Sequence, residues 1–119
     1  MNQTETLVKA IVEGLQEKKG KKIVTVDLTK IPGGICEYMV ICEGNSPTQV
    51  SALSDSVWEF ARKEANEKPL STTGEQLGEW VGMDYGTVLV HIFLPELRQY
   101  YNLENLWADA KITAIPDLD

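Results

Sequence analysis

Residues 36–53, CEYMVICEGNSPTQVSAL, decide the fold. From Tyr38 to Cys42 nearly every position is apolar, and the run is short and rich in β-formers. Such a run reads as a strand buried on both faces, at the middle of a sheet. Gly44-Asn45 closes it. Ser46 is then a good N-cap, Pro47 falls at the first helical position, and Gln49 completes a capping box. The helix that follows carries Val50, Leu53, Val57, Phe60 and Ala61 on one side and is expected to run to about Ala65.

Upstream, Leu7, Val8, Ile11, Val12 and Leu15 recur at helical spacing between Thr4 and Lys19, and Gly20 is placed to end that helix in the left-handed conformation. KKIVTVDL (residues 21–28) is short and dense in β-branched residues, so it reads as a strand, and Pro32-Gly33-Gly34 marks a loop. Downstream, a Ser/Thr/Gly stretch from Ser71 to Gly74 leads into the strand EWVGMD (79–84). Asp84-Tyr85-Gly86 is a hairpin-type turn, and TVLVHIFL (87–94) pairs back as a fourth strand that Pro95 stops. Glu96 to Tyr101 and Leu103 to Asp109 read as short helices. Residues 1–109 form one domain, and 110–119 are expected to be a C-terminal tail. The order α-β-β-α-β-β-α predicts a single-domain α/β fold, with a mixed sheet of about four strands and helices mainly on one face.

A chain of 119 residues with 43% hydrophobic and 24% charged residues has the composition of a globule that needs no disulfide staples. No apolar run approaches the roughly 20 residues of a membrane helix. The opening MNQTETLVKAIVEG lacks the pattern of a secretory signal or transit peptide, so a cytoplasmic location is expected. Cys36 and Cys42 lie about 20 Å apart if CEYMVIC is a strand, well beyond the roughly 7 Å a disulfide tolerates. They read as free thiols. The net charge of −7 disfavours direct DNA or RNA binding, which depends on lysine and arginine against phosphate. The one dense basic cluster, Lys18, Lys19, Lys21 and Lys22, reads as a solvated helix C-terminus that complements the helix dipole. An acidic chain is suited to a basic protein partner.

Few residues suit catalysis. The G-N-S turn at Gly44–Ser46, ahead of a helix, is the arrangement with which nucleotidyltransferases hold phosphate. Their metals, however, need carboxylates on adjacent strands. TVLVHIFL contains none, and EWVGMD has only Glu79 and Asp84 at its ends. His91, the single histidine, shares a strand face with Leu89 and Phe93, opposite Val88, Val90 and Ile92. A zinc site has too few nitrogen and sulfur ligands, and no cofactor is implied. Asp27 is expected either at the exposed end of its strand or paired with backbone donors of the following turn. The last third of the chain gathers Trp80, Tyr85, Tyr100, Tyr101 and Trp107 among acids and Arg98, residue types that anchor protein interfaces. Alternation puts Trp80 beside Gly82 and Asp84, so the indole would border an open strip suited to docking.

The string EWVGMDYGTVLVHIFLPELRQYYNLENLW (79–107) resembles the ribosomal silencing factor family, also called Iojap-like. That family pairs a Trp with an Asp-x-Gly turn, a V-x-V-H strand and an R-x-x-Y-x-L-E-x-L-W ending. These stand here as Trp80, Asp84, Gly86, Val88, Val90, His91, Arg98, Tyr101, Leu103, Glu104, Leu106 and Trp107. CEYMVICEGNSPTQVSAL is similar to the family's strand and capped helix, with Glu37 where Asp is usual. The resemblance implies a nucleotidyltransferase-like fold lacking catalytic carboxylates, and no enzymatic activity. It implies binding to the large-subunit ribosomal protein uL14 (L14), which would block joining of the two subunits, and a homodimer when free. The implied contact residues are Trp80, Val81, Asp84 and Tyr85, with His91, Arg98, Tyr100 and Tyr101 as additions. A large-subunit assembly factor with the same contacts is the alternative, and a nucleotidyltransferase-like enzyme the more remote one.

Overall fold

The apolar run at Tyr38–Glu43 becomes strand β2, in which Met39, Val40, Ile41 and Cys42 are all buried. Burial on both faces requires neighbours on both edges and layers above and below. In the computed structural model, which describes residues 2–107 and 109–118 apart from the side chains of Glu104 and Leu106, β2 has all of these. In chain order the elements are α1 (Gln3–Glu17), β1 (Lys21–Asp27), β2 (Tyr38–Glu43), α2 (Pro47–Ala65), β3 (Ser71–Thr73), β4 (Trp80–Asp84), β5 (Val88–Phe93), α3 (Pro95–Tyr101), α4 (Leu103–Leu106) and β6 (Lys111–Ile115). The described strands form one sheet in the order β3-β4-β5-β2-β1-β6. β2 runs parallel to β5, and the other pairings are antiparallel.

The two long helices cover one face of this sheet. Leu7, Ile11 and Leu15 of α1 and Val50, Leu53 and Val57 of α2 are sealed against Val40, Cys42, Val81, Val90 and Ile92. Each such aliphatic side chain contributes about 1.5–3 kcal/mol on burial. On the opposite face a smaller cluster joins Val26, Met39, Ile41 and Phe93 to Trp80, Leu97, Leu103 and Trp107. Helices on one face is therefore right for α1 and α2 only, because α3 and the start of α4 lie on the other side.

Six strands replace the expected four. β3 is three residues of Ser and Thr with no apolar alternation, and it exists because Thr72 and Thr73 pair with Met83 and Gly82. β6 lies within the segment expected to be a tail, where Asp27↔Lys111 through Ile23↔Ile115 add it to the edge beside β1. Both are edge strands held by long-range pairing, which local patterns do not report. The second short helix, expected over Leu103–Asp109, is observed as Leu103–Leu106. Ala108 and the side chains of Glu104 and Leu106 lie outside the described residues.

Two local expectations are corrected. The left-handed residue that ends α1 is Lys19, at φ 59°, not Gly20. Gly20 is needed for space: a Cβ there would lie 2.4 Å from Cys42 Sγ and 3.0 Å from a Leu53 methyl. At the start of α2, Ser46 Oγ accepts from the Gln49 N–H as expected. The Gln49 side chain does not return to Ser46. Its oxygen accepts from the Asn45 N–H, while its amide donates to the Lys18 and Lys19 carbonyls. Gln49 thus ties the N-terminus of one helix to the orphan carbonyls of the other.

Candidate functional site

The hairpin β4–β5 presents the expected residues in register, with Trp80 opposite Phe93, Gly82 opposite His91 and Asp84 opposite Leu89. Strand alternation sends Val81, Met83, Val88, Val90 and Ile92 into the core beneath the helices. Trp80, Gly82, Asp84, Leu89 and His91 face the other way and are each partly exposed.

Trp80 is fixed on three sides. Its ring stacks on Phe93 at 4.9 Å and meets Tyr101 at 4.6 Å. Its Nε1–H donates to His91 Nδ1 at 3.0 Å. Because Nδ1 accepts, the neutral imidazole carries its proton on Nε2. Burial lowers the His91 pKa from 6.5 to about 4, so the ring is neutral at physiological pH and the acceptor is permanent there. Beside the indole the strand carries no side chain at Gly82, where a Cβ would crowd Thr73 Oγ1 at 3.3 Å and approach His91 Nδ1 at 3.9 Å, so the expected open strip is a shallow step lined by Thr73. Tyr100 and Tyr101 extend the aromatic surface, 80% and 45% exposed, with their rings edge-on at 5.1 Å. The result is a rigid, half-exposed aromatic shelf with a hydrogen-bonding rim.

Asp84 stands at the far end of this shelf. Its carboxylate accepts from the Gly86 N–H at 2.7 Å, fixing a turn in which Gly86 has φ +87°. Three expected contact residues do not reach the surface. Val81 is fully buried, and Tyr85 is 5% exposed, its ring in the main core and its hydroxyl without a partner. Sequence spacing marked Tyr85 as a turn residue, but the chain folds its ring inward into the main core. Arg98 is 8% exposed; its guanidinium lies 3.4 Å from the Glu43 carboxylate and donates to the Lys22 carbonyl. Val81 and Tyr85 therefore pack in the core behind the shelf, and Arg98 lies against Glu43 and Lys22. Leu89 and Thr73 border the shelf and were not singled out. Period-two alternation reveals Leu89, whereas nothing local reveals Thr73.

The α2 N-terminus is occupied by its own Ser46 and Gln49 side chains. Among the described residues no group of three or more His, Cys, Asp or Glu is placed to hold a metal. Asp27 accepts from the Thr29 N–H and hydroxyl, bonds that lower its pKa. Cys36 and Cys42 are free thiols, and burial pushes Cys42 up to about 12. No described helix is long and apolar enough to cross a membrane.

Comparison with known proteins identifies the family. Residues 1–119 match the family described as "Ribosomal silencing factor during starvation". The chain is 37% identical over 107 residues to the ribosomal silencing factor RsfS of Chromobacterium violaceum, spanning 90% of this chain and 86% of that one. It superposes on a crystal structure of a C. violaceum protein with a TM-score of 0.82 at 38% identity, covering 91% of this chain and 88% of the other. A more distant similarity, 29% over 73 residues, is to the mouse "Mitochondrial assembly of ribosomal large subunit protein 1", covering 60% of this chain and 32% of that protein.

Proposed function

The chain belongs to the ribosomal silencing factor (RsfS) family, and from that premise we propose that it represses translation by docking on the large-subunit protein uL14. So placed, the globule would fill space that the small subunit needs for joining. The names in this family are those of regulatory ribosome-associated factors, and the reading involves no bond made or broken. It also includes a cytoplasmic location and a homodimer when free.

The observation that carries the reading is the shelf around Trp80. A large aromatic clamped by Phe93, Tyr101 and His91 loses little freedom when a partner covers it, and this is how interface anchors concentrate binding energy. A patch of standard size buries about 800 Å² on each side. Trp80, Leu89, His91, Tyr100 and Tyr101, with Asp84 at the margin, provide its centre and rim. The net charge of −7 favours a cationic ribosomal protein as the first contact.

Co-sedimentation with purified large subunits tests this. Trp80→Ala is expected to weaken association by about 30-fold or more, as for a central hot spot worth at least ~2 kcal/mol, with unfolding still cooperative. Full retention of binding by the folded variant would overturn the site. The name of the mouse relative favours a second reading, assembly of the large subunit through the same contacts. Preferential capture of precursor over mature large subunits would select it.

A further inference from the structure

Eight of the described residues have positive φ: four are glycines, two are Asn66 and Asn102, and two are Lys19 and Lys22. Glycine and asparagine tolerate this conformation, whereas a lysine places its Cβ against the following carbonyl. The two exceptions both fall inside the four-lysine cluster at 18–22, in a chain with 18 acidic and 11 basic residues. At each position the backbone would be served better by glycine.

The Lys22 conformation is held from both sides. Its N–H donates to Asp117 Oδ1 at 2.8 Å, and its carbonyl accepts from Arg98, itself paired with Glu43. It sits where the β1–β2 register shifts, between Lys21 and Val24. Lys19 is fixed through its carbonyl by Gln49 and through its N–H by the Gln16 carbonyl. Lys18, Lys19 and Lys22 remain exposed, while the Lys21 ammonium donates to the Leu118 carbonyl. Backbone strain that the surroundings over-determine clusters at functional sites, and here it coincides with the chain's densest positive charge.

The cluster also lies on the same end of the sheet as the aromatic shelf. One row crosses four strands, with Lys21 opposite Glu43, Glu43 opposite Phe93 and Phe93 opposite Trp80. At about 4.8 Å per strand, Trp80 and Lys21 are roughly 15 Å apart.

Resting on the docking proposed above, we infer that Lys18, Lys19 and Lys22 form a second contact, to the phosphate backbone of RNA on the same large subunit. A ribosomal subunit presents cationic protein beside RNA phosphate, and one end of this sheet carries both the indole shelf, on the face away from α1, and the lysine knuckle between α1 and β1. The contact is local and electrostatic, so it adds to docking without making an acidic chain a free-standing RNA binder.

The test compares wild type with Lys19→Gly/Lys22→Gly on whole large subunits and on isolated uL14, across a salt series. Two lost phosphate contacts should lower the slope of log K against log salt by about 2 and weaken subunit binding by about tenfold near 0.1 M salt. Affinity for isolated uL14 should be unchanged, and the variant should unfold at higher urea than wild type. Lys18→Gln, which leaves the backbone alone, should give a smaller loss in the same direction. Unaltered subunit affinity and slope, or an equal loss on isolated uL14, would overturn the RNA contact alone. Failure of the wild type to bind either target would overturn the docking reading, and this contact with it.

Discussion

Acid should weaken this fold through one imidazole. His91 titrates near 6.5 when free and, because it is buried, at about 4 in the folded chain. Between those values the unfolded chain binds a proton that the folded chain refuses. The stabilisation is therefore complete above about pH 6.5 and is lost as pH falls toward 4. Worked through the linkage relation, the loss between pH 7 and pH 5 is about 2 kcal/mol. The structure gives a local reason for the refusal: Nδ1 accepts the Trp80 N–H at 3.0 Å, and a protonated ring would turn that acceptor into a second donor. Urea unfolding of wild type and His91→Gln at pH 7 and pH 5 isolates the effect, because the carboxylates titrate alike in both. Gln keeps an acceptor for the indole and does not titrate. Wild type should lose about 2 kcal/mol more than the variant over that interval. As the chain has one histidine, a single imidazole resonance follows the same event, with a midpoint near 4 expected. A midpoint at 6.5, or equal acid sensitivity in the two proteins, would refute the half-buried hydrogen-bonded histidine and the fixed indole that depends on it.

Other substitutions probe the supports of the shelf. Tyr85→Phe should stabilise the chain by about 1 kcal/mol in chemical unfolding, since it removes a buried hydroxyl that has no partner. At the end of α1, neighbouring changes should have opposite signs. Lys19→Gly relieves a left-handed lysine and should add roughly 1 kcal/mol, whereas Gly20→Ala drives a methyl toward Cys42 Sγ and should cost about 1–3 kcal/mol. Arg98→Ala strands the Glu43 carboxylate, only 12% exposed, and should cost about 3 kcal/mol in thermal or urea unfolding.

What could be read from the residues was whatever repeats locally. The buried run at Tyr38–Cys42, the Ser46-Pro47 start of α2 and the alternation of β4 and β5 each carry a period or a cap, and each appears in the structure. β3 and β6 carry none: Ser71–Thr73 is a strand only because β4 offers an edge, and Lys111–Ile115 only because β1 does. The same divide runs through the candidate site. Alternation places Trp80, Gly82 and Asp84 on one face, but it cannot say that Tyr85 turns inward after the strand ends or that Arg98 spans the fold to Lys22.

That second failure bears on how the surface is built. Arg98 looks like an interface residue by type, and its charge is spent instead on a strut from Glu43 to the Lys22 carbonyl. The strut begins on β2, whose Glu43 stands in register with Phe93, and Phe93 carries the Trp80 ring. One row of residues therefore sets both the indole and the lysine-bearing bulge. A change at Arg98 should disturb the bulge before the indole, because the indole keeps Tyr101 and His91 as further supports and the Lys22 carbonyl loses a principal donor.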